Sequence, residues 1–177
     1  MINQTNPLPK RKHPRLDSYD YSSAGLYFIT ICAQNKKCIF SRIVGRGLAP
    51  AENTELKIEY KTYGKIAEKQ LLLLENRYPS LKIYAYVIMP NHIHMIINPA
   101  QRTAAGASPR PTIMDIICTY KSLTTRECKK LCHIDKVFQT SFYEHVIRNK
   151  EEYEKTLKYI RDNPAHWLYD PLYQSIE

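Results

Sequence analysis

Two histidines one residue apart, His92 and His94, open a short apolar run, and that spacing has a chemical consequence. Side chains alternate along an extended strand, so both imidazoles project from one face and reach a single ion. A third ligand is needed, and a downstream helical segment offers one. Tyr159 and Asn163 are four residues apart there, which sets a phenol and an amide on one helix face. The amide stands where the helix ends, with its oxygen free to turn toward a cation. A nucleophile and a ligand thus share a stripe. Tyr153, Leu157 and Ile160 form a separate apolar stripe that docks the helix and leaves Tyr159 at the edge of the contact. Plain readings stand beside these: H-x-H pairs occur as packed or solvated histidines, and Tyr159 is one of fourteen tyrosines, a residue type that commonly packs cores.

The elements that must position these groups follow from hydrophobic period. Leu26 to Cys32 (LYFITIC) has the aromatic and β-branched composition of a buried strand. Tyr60 to Asn76 carries Tyr63, Ile66, Ala67, Leu71 and Leu74 at helical spacing. Ile83 to Met89 and Ile93 to Ile97 flank the turn-forming Pro90-Asn91 and read as an antiparallel hairpin. Ile113, Ile116, Ile117 and Tyr120 mark a second helix with Lys121, Arg126, Lys129 and Lys130 on its other faces. Ser141 to Ile147 reads as a fourth strand, and Glu151 to Asp162 as a last helix stopped by Asn163-Pro164. The order β-α-β-β-α-β predicts an α+β, ferredoxin-like antiparallel sheet, with the additional C-terminal helix covering the face the other two leave open. Gly45 to Thr54 and the stretch 99–112 read as loops. The division is a basic arm (1–24), one domain (25–164) and a short tail (165–177).

Charge narrows the partner. Lys and Arg outnumber Asp and Glu by 26 to 17, a net +9 with a pI near 9.3, in a chain of 177 residues that is 44% apolar. Such an excess suits a polyanion. Lys10, Arg11, Lys12 and Arg15 of the arm, with Lys121 and Arg126 of the second helix, are the expected phosphate contacts. The five cysteines (32, 38, 118, 128 and 132) are odd in number and contain no C-x-x-C, which argues against a disulfide framework or zinc ribbon and for a cytoplasmic protein. Residues 1–12 lack an apolar signal region, and no apolar run is long enough to cross a bilayer.

Four ordered segments resemble one family. MPNHIHM (Met89 to Met95), FYEHVIRN (Phe142 to Asn149), YIRDNP (Tyr159 to Pro164) and RLDSYDYSSAGLYFIT (Arg15 to Thr30) are similar to the REP-associated tyrosine transposases, of the HUH single-tyrosine class. The resemblance implies that His92 and His94 are the metal-binding histidines, Tyr159 the catalytic tyrosine and Asn163 the polar residue completing the metal site. It implies cleavage of single-stranded or hairpin DNA, REP-like palindromes included, through a 5′-phosphotyrosine, with a free 3′-hydroxyl that allows rejoining without ATP. An open site facing phosphate oxygens suits Mg2+ or Mn2+ as the divalent ion. Lys155, one turn before Tyr159, is the expected helper for phenol deprotonation. A monomer using its own tyrosine is favoured over a dimer. Ala165-His166-Trp167 departs from the small-residue pattern that commonly follows the family's NP.

Two other readings compete. Ferredoxin-like sheets also bind single strands without cutting them, on aromatic residues such as Tyr27, Tyr84 and Tyr86. A zinc hydrolase lacks both H-E-x-x-H and a cysteine ligand cluster here.

Overall fold

The chain is described by a computed structural model over residues 25–45, 56–99, 111–132 and 134–174. It runs β1 (Leu26–Cys32), β2 (Ser41–Val44), β3 (Lys57–Tyr60), α1 (Thr62–Leu72), α2 (Leu74–Arg77), β4 (Lys82–Ile88), β5 (His92–Asn98), α3 (Ile113–Cys132), β6 (Tyr143–Ile147) and α4 (Lys150–Asp162). Two 3-10 segments, Gln34–Lys36 and Asn163–Tyr169, complete it. The apolar run of β1 sits inside the sheet, paired antiparallel with β5 on one side and β6 on the other. With β4 outside β5, the strand order is β4-β5-β1-β6. This is the ferredoxin-like arrangement expected from the order of elements.

Strand alternation divides the sheet into two faces with separate cores. Tyr27, Ile29 and Ile31 of β1 and Ile93, Met95 and Ile97 of β5 are buried in one cluster with Ala67 and Leu71 of α1 and Ile116, Ile117 and Tyr120 of α3. The opposite face carries Phe28, Thr30, His92, His94 and Ile96. There Val87, Met89, Ile96 and Ile147 meet Ile160 of α4 and Trp167 of the second 3-10 segment, with Tyr153 and Leu157 packed alongside. Thus the stripe read from α4 is the one that docks it.

Helix ends are fixed by side chains. The Thr112 hydroxyl accepts from Asp115 N–H while the Asp115 carboxylate accepts from Thr112 N–H, a reciprocal cap on α3. At α4, Asn149 Oδ1 accepts from Glu152 N–H at 2.8 Å.

Three boundaries differ from the sequence reading. A two-stranded ribbon, β2 with β3, stands between β1 and α1, pinned by an Arg42–Glu59 ion pair across it. Tyr60 therefore ends a strand instead of opening a helix, and the helix expected up to Asn76 divides at Leu73 into α1 and α2. Four-residue strands are too short for the period test to separate from a loop. Of the two expected loops, most of each, 46–54 and 100–110, lies outside the described residues. The third difference is at Pro164. The α-helix ends at Asp162 as expected, yet Asn163 stays helical (φ −53°, ψ −42°) and the chain continues as a 3-10 coil. Proline is tolerated because it falls in the first turn of the new segment, where its missing N–H is not required.

Candidate metal and nucleophile site

The turn that joins β4 to β5 places both histidines. Met89 N–H donates to His92 O at 2.9 Å across Pro90-Asn91, and β5 then runs antiparallel to β1 with Cys32 opposite His92 and Thr30 opposite His94. Both imidazoles leave the same face, as the H-x-H spacing requires, with ring centroids 4.4 Å apart. Each ring has its Nδ1 fixed. His92 Nδ1 is 2.8 Å from Asn91 Oδ1, and His94 Nδ1 is 2.8 Å from Thr30 Oγ1. Because the Asn91 amide nitrogen donates to Leu172 O at 2.7 Å, its oxygen is the atom left for His92, so His92 Nδ1 carries the proton. The Nε2 lone pair then faces inward.

Burial keeps both rings neutral, the form that binds metal. The His92 pKa is pushed down to about 4, chiefly by burial, against the opposing pull of the Asp170 carboxylate and the Asn163 amide. His94 falls to about 2, by burial and then by its neighbour His92.

The second 3-10 segment delivers the remaining ligands. Asn163 is buried and donates its Nδ2–H to Asp170 Oδ2 at 2.9 Å. Asp170 in turn accepts Leu172 N–H on Oδ1 at 2.6 Å, and Oδ2 lies 3.9 Å from His92 Nε2. His92, His94 and Asp170 each present one ligand atom, all within 4.8 Å of one another. His92 Nε2 and Asn163 Oδ1 are buried and make no hydrogen bond among the described residues. Acceptor atoms converging without a donor between them repel one another, and a cation is what satisfies them. The donor set of two nitrogens and carboxylate and amide oxygens fits a divalent ion.

Tyr159 completes the site. Its hydroxyl is 3.3 Å from His94 Nε2, and Phe28 backs both rings, stacked on His94 at 5.1 Å and edge-on to Tyr159 at 6.0 Å. The phenol is 42% exposed, at the edge of the α4 contact where the helix stripes place it. Its pKa is raised, first by partial burial and then by the Asp170 charge, while the Asn163 side chain lowers it.

The structure brings together His92, His94, Tyr159 and Asn163, and adds Asp170, Asn91 and Thr30, which the sequence reading did not single out. Asn91 carried one signal, an amide beside the H-x-H, at a position whose residue type equally suits a turn. Asp170 lies beyond Pro164, where no helical or strand period continues, so spacing could not place it.

Three expected contributors stand elsewhere. The Lys155 ammonium binds Glu151 at 2.6 Å, one turn away in the direction opposite to Tyr159, so it is not at the phenol. Lys121 directs its ammonium to the carbonyls of Gln139, Thr140 and Ser141. Arg126 is exposed on α3, the helix on the other face of the sheet. Lys10, Arg11, Lys12 and Arg15 lie outside the described residues.

No protein-family model matches the sequence. An uncharacterized protein of Haemophilus influenzae (strain ATCC 51907 / DSM 11121 / KW20 / Rd) is 32% identical over 177 residues, spanning 92% of this chain and 93% of that one. Among solved structures, a REP-associated tyrosine transposase bound to a REP hairpin superposes with a TM-score of 0.54 at 20% identity, over 85% of this chain and 73% of the other. A further structure, from Deinococcus radiodurans R1, reaches a TM-score of only 0.43 at 12% identity, too distant to bear on fold or function. The chain therefore belongs to the same family as the Haemophilus influenzae protein, and its antiparallel sheet has the fold of the hairpin-bound tyrosine transposase.

Proposed function

We propose that the protein is a divalent-metal-dependent transposase-type enzyme that cuts and rejoins single-stranded or hairpin DNA through Tyr159, acting as a monomer with its own tyrosine. The observation that carries this is the Tyr159 hydroxyl 3.3 Å from His94 Nε2, at the rim of a buried cluster of His92, His94, Asp170 and Asn163. The Tyr159 hydroxyl stands 3.3 Å from a histidine of its own chain, which supports action in cis. The REP hairpin held by the structural neighbour supports a folded single strand as substrate.

His92 Nε2, His94 Nε2, Asp170 and Asn163 Oδ1 would hold Mg2+ or Mn2+. When bound, such an ion supplies Lewis-acid polarisation of a phosphate and offsets charge in the transition state. The residues do the rest. Asn91 and Thr30 hold the imidazoles in orientation. Phe28 packs edge-on against the Tyr159 ring at 6.0 Å. Partial burial, and after it the Asp170 charge, favour the protonated phenol, while the Asn163 side chain opposes them. In the reaction the phenol oxygen forms a bond to phosphorus as the bond to the 3′-oxygen breaks, the phenol proton passes to solvent water and the 3′-oxygen takes one from it. The link preserves the phosphodiester's free energy for rejoining.

The non-catalytic alternative needs an open aromatic sheet face. Tyr27 instead points into the α1–α3 core, Tyr86 donates to Glu68 at 3.0 Å, and α4 packs over the opposite face. Only Tyr84 of the three is exposed. The deciding experiment incubates the protein with labelled single-stranded hairpins in Mn2+ and isolates covalent adducts by denaturing electrophoresis. An adduct mapping to Tyr159 supports the reading, and none across a hairpin library overturns it.

A further inference from the structure

Beside Tyr159 the protein opens a cavity of about 1070 Å3, bordered by Phe28, His94, Tyr143, Tyr159 and Leu172. Small-ligand sites commonly enclose roughly 300–1,000 Å3, so a group of nucleotide size has room here. The cavity belongs to the sheet face that carries the metal ligands, and strand register sets its dimensions. His94, Thr30 and Tyr143 are consecutive neighbours across β5, β1 and β6. At about 4.8 Å per strand, Tyr143 stands roughly 10 Å from His94 at the backbone. Tyr143 is 52% exposed beside the cavity, whereas Phe142 just before it is partly buried against the core.

The wall leading into Tyr143 is held from behind. Lys121 Nζ donates to Gln139 O at 2.5 Å and Thr140 O at 2.8 Å, with Ser141 O at 3.5 Å. A partly buried ammonium whose pKa is lowered by burial is retained there as a tie between α3 and the segment entering β6. That segment presents Gln139, Thr140 and Ser141 along the cavity. A fixed polar rim beside the exposed Tyr143 ring suits a flat, hydrogen-bonding ligand.

We propose that this cavity seats an unpaired nucleobase adjacent to the phosphate under attack, with Tyr143 as its stacking face and the 139–141 rim reading its edge. The assignment rests on Tyr159 attacking a DNA strand, and it makes Tyr143 a substrate-positioning residue. Lys121 acts through the rim it ties down.

The test measures binding of the full chain, in EDTA so that nothing is cut, to labelled oligothymidylate and to an abasic strand of equal length by fluorescence anisotropy. The base-bearing strand should bind about tenfold more tightly, the scale of base–aromatic stacking. Tyr143→Ala should bring the ratio close to one, Tyr143→Trp should retain it, and Tyr84→Ala, on the opposite edge strand, should leave it unchanged. Equal binding of both strands by the wild type, or an unchanged ratio in Tyr143→Ala, overturns the assignment. Adduct formation by the wild type in Mn2+ is scored in parallel. An adduct together with a Tyr143-independent ratio removes the base seat and leaves the nucleophile standing. A Tyr143-dependent ratio without any adduct supports the seat and removes the nucleophile.

Discussion

The Tyr159 hydroxyl lies 3.3 Å from Nε2 of His94, so the proposed nucleophile occupies a metal ligand's coordinating atom. A ring nitrogen that binds a cation has no lone pair left for the phenol. Metal binding and this hydrogen bond are therefore alternatives, and the phenol gives up the bond as the site is filled.

Tyr159→Phe removes only the oxygen, and that oxygen makes a long bond at a partly exposed position. Thermal stability without metal should change by less than about 1 kcal/mol. The covalent adduct and strand transfer should be lost altogether. Peptide mapping after reaction with a labelled hairpin checks this, and a nucleotide found on Tyr143 or Tyr153 in the wild type would displace Tyr159 from the mechanism.

Gly64 makes a claim on the fold. A Cβ there would be driven into the carbonyl oxygen of Phe40, a backbone atom that already accepts Lys61 N–H at 2.8 Å and cannot move aside cheaply. Gly64→Ala should destabilise the protein by about 1–3 kcal/mol or more, even though alanine is the better helix former. Urea unfolding of the two proteins measures it, and a stabilised variant would show that α1 does not dock against Phe40 this closely.

Sequence period was sufficient for the parts of the molecule that bury one face over several turns or residues. β1 and β5 alternate or run apolar because they lie inside the sheet, and α4 shows its stripe because one side meets Ile96 and Val87. The H-x-H pair and the Tyr159–Asn163 stripe were legible for the same reason, being fixed by strand and helix geometry. The β2–β3 ribbon was not, since four residues a side carry too little period. Asp170 was not, because a 3-10 coil after a proline has no pattern that distinguishes an inward carboxylate. Lys155 and Lys121 show a different limit: spacing puts a residue on a face, while Glu151 and the 139–141 carbonyls decide where each ammonium goes.

The ligand set implies a graded response to metal. At a hundred times its dissociation constant, Mn2+ should stabilise the wild type by about 2.7 kcal/mol. The rise in Tm between EDTA and Mn2+ should disappear in His92→Gln/His94→Gln and shrink in Asp170→Asn, each variant serving as its own metal-free reference. Asn163→Ala loses both its own oxygen and the amide that holds Asp170 at 2.9 Å, so its cleavage should be weak and partly restored by raised Mn2+. An undiminished rise in the double histidine variant would remove the metal site.

Asn91 is the most informative residue outside the ligands, because one amide does two jobs. Its oxygen orients His92 at Nδ1, and its nitrogen holds Leu172 O, which anchors the turn that delivers Asp170. Asn91→Ala breaks both, leaving a buried ring N–H and a carbonyl without partners, at a cost of about 1–3 kcal/mol for each stranded group. Metal affinity should fall about 10–100-fold, the usual loss when the partner of a ligating histidine is removed. Asn91→Asp separates the roles. A carboxylate still accepts from His92 Nδ1–H, but it cannot donate to Leu172 and repels that carbonyl. Histidine orientation is thereby kept and the turn loosened. Isothermal titration with Mn2+, with limited proteolysis beside it, should show Asn91→Asp binding metal more tightly than Asn91→Ala while the segment after Trp167 becomes easier to cleave. If both variants lose affinity equally and the segment stays protected, the anchor lies in the Trp167–Tyr173 ring contact at 5.1 Å and not in the amide.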